Sequence, residues 1–480
     1  MVKRVIRLEA DHAPSDQVNT PELSAALDAL RERLELPGAF TPQVEQEAVD
    51  ATKSPQLPDR DESAVPFFTI DPIGSVDLDQ AMCLERDGDG YRVRYAIADV
   101  PAFVKPGGEL DAETHRRGQT VYLPGQRIPL HPTVISEDAA SLLEGQTRPA
   151  FVWDMRLDSS GKCTAAEVYR ATVRSQKRLD YDSVQQQIDA GDADEFLKLL
   201  QEIGEKRIEL ERQRGGASLP MPEQIVNRKD DGTYELSMRP PVPAEDWNAQ
   251  ISLLTGMAAA DLMLQHKVGV LRTMPEPDAN AVARFKREAS ALGAPWAGEL
   301  SYGEFLRTLD RSNPRHLALI YEATGLFRGA AYTSFDGELP QITEQAAVAA
   351  PYAHVTAPLR RLVDRYGLAI CVALSAGEDV PQWARDALPT LPEEMKASDS
   401  RTRKAERAAT DIVEAAVLQP KVGQSFEAVI VDDNGKHGIL AQLTQHAVVA
   451  DVSGSAEVGS TVQVELVSVD IPAGKVEFTL

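Results

Sequence analysis

The sequence predicts an α+β fold: a large mixed domain in the middle of the chain, a small helical segment before it and an OB-type β-barrel after it. Three observations carry this prediction. Residues 67–174 read as strands joined by turns, residues 245–418 carry a series of helical stretches, and the last sixty or so residues hold five short strand-like segments. The chain has 480 residues, which at roughly 100–200 per domain suggests about three domains. The expected boundaries are 1–57, 58–419 and 420–480.

Each element has a local reason. Thr20-Pro21 and Thr41-Pro42 both look like helix starts, with threonine as the cap and proline at the first helical position, where its missing N–H costs nothing. Leu23, Leu27, Leu30 and Leu34 share one face of the first helix, and Pro37-Gly38 is expected to end it. The two helices are expected to form a packing hairpin. A helix-turn-helix reader of nucleic acid is the alternative, although nothing basic marks a recognition helix. Residues 54–66, SPQLPDRDESAVP, look like a linker. The run Asp87-Gly88-Asp89-Gly90 is a hairpin turn between two strands. A helical stretch spans about 181–213, with Gly215-Gly216 as its stop, and further helices are expected at 245–266, 278–292, 313–330, 358–375 and 395–418. SFEAVIVDD, HGILAQL, AVVADV, TVQVELVSVD and KVEFTL then supply the five barrel strands.

Composition excludes several classes. Fifty basic against 74 acidic side chains leave a net charge of −24, which argues against a protein that grips nucleic acid through a generally basic surface. Cys83, Cys163 and Cys371 form no CxxC pair, so a reducing compartment and no disulfide framework are expected. The N-terminus lacks the apolar core of a signal peptide, and no apolar run is long enough to span a membrane. A cytoplasmic protein is the reading carried forward. Neither a GxSxG elbow nor HExxH is present, and a phosphate-loop imitation around Gly454 and Gly459 lacks the lysine.

The most informative string is TIDPIGSVDLDQA, residues 69–81, with carboxylates at Asp71, Asp77 and Asp79. Asp77 and Asp79 alternate along an extended chain and so point the same way. Carboxylates grouped in this manner suit a hard cation such as magnesium, and a pair of such ions can activate water for phosphodiester hydrolysis. An Asp-rich loop in an acidic protein is more often a solvated turn, and spacing alone favours that bland reading.

Further strings follow in order: YAIADVPAFVKPGGELDAETHRRGQTVYLPGQRIPLHPTVIS, SLLEG, RQRGGASLPMPE, YAHVTAPLRRLVDRYG and TRKAERAATDIV. Together they resemble the RNB catalytic domain of the ribonuclease II/ribonuclease R family, hydrolytic exoribonucleases that work 3′ to 5′. The resemblance runs from about Pro58 to Leu418, and the barrel after it is similar to the S1-type OB domain that ends those enzymes. It implies that Asp71, Asp77 and Asp79 are three members of a four-aspartate magnesium site, with manganese as a substitute ion. It also implies that Arg360 contacts the RNA backbone near the scissile phosphate with Arg361 in support, that Glu406 lies near the terminal nucleotide, and that Tyr122 stacks on the terminal base. Stacking tolerates any sequence because every base has a π-face. Taken singly, Arg360 and Arg361 would read as a solvated helix face, Tyr122 as a core aromatic and Glu406 as a surface ion pair.

The departures from the family pattern are as informative. Gln80 stands where the resemblance implies a fourth aspartate; its amide oxygen can ligate a cation but brings no charge, so a higher magnesium requirement is expected. Thr356-Ala357-Pro358 lacks a family serine, and Ala249, Gln250 and Gly256 replace family glutamates and an asparagine. The partner of Tyr122 in clamping a base is not assigned. Fewer than seventy residues precede the catalytic domain, where relatives carry two cold-shock domains. The terminal barrel holds three lysines and eight acids, whereas positive charge is expected to gather in AHVTAPLRRLVDRY and RTRKAER. His354 is expected to be structural, and Asp99 is read equally as metal support or as a cap.

The expected function is a magnesium-dependent 3′-to-5′ exoribonuclease acting on single-stranded or 3′-overhanging RNA, working as a monomer away from membranes. The rivals are a non-catalytic RNA-binding relative whose site has decayed at Gln80, and a metal-dependent endonuclease.

Overall fold

A computed structural model describes residues 6–9, 21–217, 219, 223–228, 234–239, 241–296, 298–310, 313–433, 438–444 and 448–480. Strand β1 (Ile6–Glu9) precedes helices α1 (Pro21–Arg33) and α2 (Pro42–Lys53). Then come β2 (Phe67–Ile70), β3 (Gln80–Asp87), β4 (Gly90–Ala98), α3 (Glu109–Arg117), the small hairpin β5 (Val121–Leu123) and β6 (Gln126–Ile128), and the long strands β7 (Thr147–Leu157) and β8 (Cys163–Leu179). Next are α4 (Tyr181–Asp189), α5 (Glu195–Arg214), the pair β9 (Glu223–Arg228) and β10 (Tyr234–Arg239), α6 (Pro243–His266) and β11 (Val268–Thr273). They are followed by α7 (Ala279–Ala291), α8 (Tyr302–Arg307), α9 (Pro314–Glu322), β12 (Ala331–Asp336), β13 (Glu344–Gln345), β14 (Ala350–Pro351), α10 (Leu362–Ala376), α11 (Gln382–Ala387) and α12 (Leu391–Leu418). The last five strands are β15 (Ser425–Asp433), β16 (Ile439–Leu443), β17 (Val449–Ser453), β18 (Thr461–Asp470) and β19 (Lys475–Thr479).

Two closed five-stranded barrels organise the molecule, in the orders β2-β3-β4-β7-β8 and β15-β16-β17-β19-β18. The second is the predicted OB-type barrel. Closure of the first was not legible as such: β2 pairs in parallel with the far end of β8, Ile70 opposite Leu179, more than a hundred residues away in sequence. Both faces of its strands are buried. Met82, Tyr95 and Trp153 share a core with Leu200, Ile203, Trp247 and Ile251 of α5 and α6, whereas Ala81, Ala96 and Val152 pack with Val44 of α2 and Leu110 of α3. Alternate residues therefore serve two cores.

Several expected boundaries change. Helix α1 stops at Arg33, short of Pro37-Gly38, because Leu36 N–H bonds to the Arg31 carbonyl with Glu35 at φ 49°, a left-handed cap on a non-glycine residue. Its own cap, Thr20, lies outside the described residues, whereas Thr41 caps α2 as expected, accepting from Val44 N–H. The expected packing hairpin is not formed as such: α1 docks on α12 and α2 docks on α3. The 181–213 stretch breaks at Gly191 (φ 75°), and the 313–330 stretch narrows to α9 plus a 3₁₀ turn at Ala323–Leu326. Strands β1, β9, β10, β11 and β12 were not anticipated. The expected helix at 358–375 begins only at Leu362, which leaves residues 358–361 as a loop. Among the described residues no helix is long and apolar enough to cross a membrane.

Candidate active site

The acidic segment occupies one rim of the first barrel. Asp71 follows β2 directly, its N–H on the carbonyl of Leu179 at 3.2 Å, so barrel closure itself places this residue. Asp79 precedes β3, with Ala98 N–H on its carbonyl. Between them Leu78 is fully buried, which turns Asp77 and Asp79 to the other side of the chain. Ser141 staples this segment: its hydroxyl accepts from Leu78 N–H at 2.9 Å and donates to the Val76 carbonyl at 2.7 Å.

Facing Asp79 is the loop Thr356–Arg361. Leu359 N–H donates to Asp79 Oδ1 at 2.8 Å, and Arg360 Nε lies 3.5 Å from Oδ2. The loop is fixed by Asp364, which is fully buried and accepts from Ala357 N–H (2.7 Å) and from Arg361 Nε and Nη2 (2.8 and 2.7 Å). His131 Nδ1 meets the Leu359 carbonyl at 3.1 Å, and Thr120 N–H donates to the Arg360 carbonyl at 3.0 Å. Arg361 is thus a brace for the loop. Arg365 is buried against Asp111, so of the three arginines in this motif only Arg360 has an exposed side chain, at 45%. Within AHVTAPLRRLVDRY the expected positive charge is therefore largely neutralised from within, because a buried guanidinium requires a partner.

Beside the loop, between Thr120 and His131 that bond to it, stands the hairpin β5–β6. Tyr122 and Arg127 are cross-strand partners and reach the same carboxylate: the Tyr122 hydroxyl donates to Asp77 Oδ2 at 3.1 Å, and Arg127 Nη1 lies 2.7 Å from Oδ1. Tyr122 is 40% exposed, which suits a stacking platform better than a core aromatic. Arg127 also pairs with Glu137. Glu406 sits on α12 beside Ala405, which shares a core with Val121 and Leu123 on either side of Tyr122.

Gln80 is engaged at both ends. Its amide donates to the Thr356 carbonyl at 2.6 Å, its oxygen accepts from the buried Tyr95 hydroxyl at 2.7 Å, and the Thr356 hydroxyl in turn meets Ser252 of α6 at 2.9 Å. Asp99 is a cap: it accepts from Ala102 N–H and pairs with Arg170. His354 shares a hydrogen bond with Tyr332. The sequence reading missed Arg127, Glu137, His131 and Ser141. A legible signal existed for Arg127, since Pro124-Gly125 in a two-residue turn sets it opposite Tyr122.

The electrostatics are those of crowded acids. Burial pushes the Asp71 carboxyl up to about 7, with Arg360 opposing and Asp77 adding to the rise. Burial likewise raises Asp79 to about 8, against Arg360 and the Leu359 N–H. Asp71 Oδ2 is buried and, among the described residues, has no hydrogen-bond partner. As placed, no three acidic, histidine or cysteine side chains among the described residues close up into a metal-holding group. The orphaned Asp71 oxygen and the uncompensated acidity of Asp79 nevertheless fit a divalent cation, which would supply the missing positive charge.

Comparison with known proteins follows the same outline. The RNB domain model matches residues 59–370, and the model of the RNase II-type exonuclease C-terminal S1 domain matches residues 424–480. Ribonuclease R of Escherichia coli is 27% identical over 421 residues, covering 82% of this chain and 50% of that protein. Exoribonuclease 2 of Edwardsiella piscicida is also 27% identical, covering 82% and 62%. The chain spans about half the length of the first relatives it matches, among them ribonuclease R of Vibrio cholerae, of which it covers 53%. Among solved structures, Mycoplasma genitalium RNase R in complex with ribose-methylated single-stranded RNA superposes with a TM-score of 0.84 at 18% identity, covering 96% of this chain and 78% of that one. Yeast Ssd1, a pseudonuclease, superposes with a TM-score of 0.70 at 14% identity, covering 90% and 55%. These last two likenesses bear on the fold alone.

Proposed function

We propose, from the premise that this chain belongs to the RNB family, that it is a magnesium-dependent, hydrolytic 3′-to-5′ exoribonuclease releasing nucleoside 5′-monophosphates from single-stranded or 3′-overhanging RNA. Manganese would substitute for magnesium, and the enzyme would act as a cytoplasmic monomer. The observation that carries the proposal is the junction of Asp79 with Leu359 N–H and Arg360, which brings the acidic string and the arginine string, some 280 residues apart, into contact. The names of the relatives, Ribonuclease R and Exoribonuclease 2, support the activity class.

In this reading Asp71, Asp77 and Asp79 would hold the cation, which when bound supplies charge stabilisation at phosphoryl oxygens and lowers the pKa of a water. Arg360 projects its guanidinium in front of Asp79, where it meets the charge that develops on the phosphoryl group. Tyr122 offers an exposed ring to the terminal base, and Glu406 holds the terminal nucleotide from α12. Hydrolysis adds the water oxygen to phosphorus and breaks its bond to the 3′ oxygen of the preceding nucleotide. The shortened RNA keeps a 3′ hydroxyl and the released nucleotide a 5′ phosphate.

The test uses 5′-labelled single-stranded RNA with magnesium, run beside Asp79→Asn. The expected result is a ladder shrinking to a short limit product, absent in the variant. Intact RNA across a magnesium titration, with binding retained, would make the chain a non-catalytic binder. Internal fragments would make it an endonuclease.

A further inference from the structure

Both oxygens of Asp77 are occupied by one small hairpin, and one of the two occupants is a cation. Arg127 Nη1 sits 2.7 Å from Oδ1, the Tyr122 hydroxyl sits 3.1 Å from Oδ2, and Asp77 is largely enclosed, its side chain 14% exposed. Asp79, two residues on, is held differently, by a backbone N–H and a distant Arg360. Arg127 also has a second seat: its other terminal nitrogen pairs with Glu137, from the turn Val134–Ala139 that faces β6. A guanidinium shared between two carboxylates can give up one and keep the other without being left unpaired.

We infer that Arg127 is a positioning residue that competes with the divalent cation for Asp77, and that Glu137 is the seat that retains its guanidinium when Asp77 turns to the cation. The inference rests on the proposed reading of Asp71, Asp77 and Asp79 as ligands. Because Tyr122 and Arg127 are cross-strand partners on one face, release of Asp77 frees the Tyr122 hydroxyl together with the guanidinium. The same movement that loads the cation thus unties the ring proposed to receive the terminal base. Arg127, still charged, then stays on Glu137 beside that ring. With Gln80 contributing no negative charge and its amide engaged by Tyr95 and Thr356, competition at Asp77 bears more heavily on cation affinity than it would in a site with a fourth carboxylate.

The readout is manganese affinity of the full-length chain, measured by the electron paramagnetic resonance signal of free Mn²⁺, without RNA and independent of turnover. Arg127→Gln removes the competitor and is expected to tighten Mn²⁺ binding on the order of ten-fold, the loss of one charge-assisted pair. Glu137→Gln removes the second seat, leaves Arg127 bound to Asp77 alone, and is expected to weaken Mn²⁺ binding by roughly three-fold. Opposite shifts from two neighbouring substitutions are not produced by simple loss of structure. If Asp79→Asn abolishes binding while Arg127→Gln leaves it unchanged or weaker, the competition is overturned and the metal site stands. If the parent chain binds no Mn²⁺, or Asp79→Asn binds as well as the parent, the metal reading fails and the competition fails with it.

Discussion

Asp77 and Asp79 stand two residues apart on one segment and are held by different walls. The wall behind Asp79 is the loop Thr356–Arg361, in which Leu359, Arg360 and Arg361 are tied to Asp79, Thr120, His131 and Asp364. The wall behind Asp77 is a three-residue-per-strand hairpin whose two reaching side chains are partly exposed. The difference shows where rigidity is placed: the buried wall fixes Arg360, proposed to meet the phosphoryl group, and the open wall holds the groups proposed to change partners.

The contrast can be attacked at its strongest point. Asp364→Ala strips a fully buried carboxylate from Arg361 and from Ala357 N–H, and is expected to cost about 3–5 kcal/mol of stability, read by denaturant unfolding. A loss below about 1 kcal/mol would mean that the loop is not a fixed wall.

A second probe is pH. His131 is buried, and burial is the main reason its imidazole is pushed from an ordinary 6.5 down to about 4, against the pull of the Leu359 carbonyl. The unfolded chain takes up this proton near pH 6.5 and the folded chain only near pH 4. The stabilising contribution is therefore full above pH 6.5 and is lost as pH falls to 4, an amount of about 3 kcal/mol. His131→Gln should remove this part of the acid sensitivity, and unfolding curves of parent and variant that stay parallel across that range would contradict it.

Gln80→Leu leaves the Tyr95 hydroxyl and the Thr356 carbonyl without their partner and is expected to cost about 1–3 kcal/mol in the same unfolding assay. The smallest effect belongs to the open wall. Tyr122→Phe removes one hydroxyl from Asp77 at an exposed site, so a change within about 0.5 kcal/mol and retained RNA turnover are expected. A larger penalty would show that the hairpin is as fixed as the loop.

What the sequence disclosed, and what it withheld, follows from how local each signal is. The last five strands were legible from their own periodicity, whereas the acidic segment and Arg360 were legible only through the ordered set of family strings, since alone they read as a solvated turn and a solvated helix face. Closure of the first barrel was hidden because it depends on a parallel pairing between β2 and the end of β8. The bracing by Arg361 was hidden for a related reason: PLRRLVD scans as a helix, but the helix starts only at Leu362, and Arg361 turns onto Asp364, which also takes the Ala357 N–H. His131 and Ser141 lie inside the strings HPTVIS and SLLEG, but they act on backbone groups far away in the chain, and no string shows those partners. Arg127 was within reach of the turn rule, yet hairpin register becomes informative only once Tyr122 is known to face Asp77.

The seating of α1 has a consequence for how the molecule is made. Leu23, Leu27 and Leu30 belong to one core with Ala405, Ala409 and Ile412 of α12 and with the C-terminal barrel. During synthesis the first helix emerges long before these partners exist: at 5–20 residues per second, the separation from Arg33 to Ala405 corresponds to roughly 20–70 s. Helix α1 is thus among the last of the early-made elements to acquire its neighbours, and its leucine face waits over that interval for a core supplied by the far end of the chain.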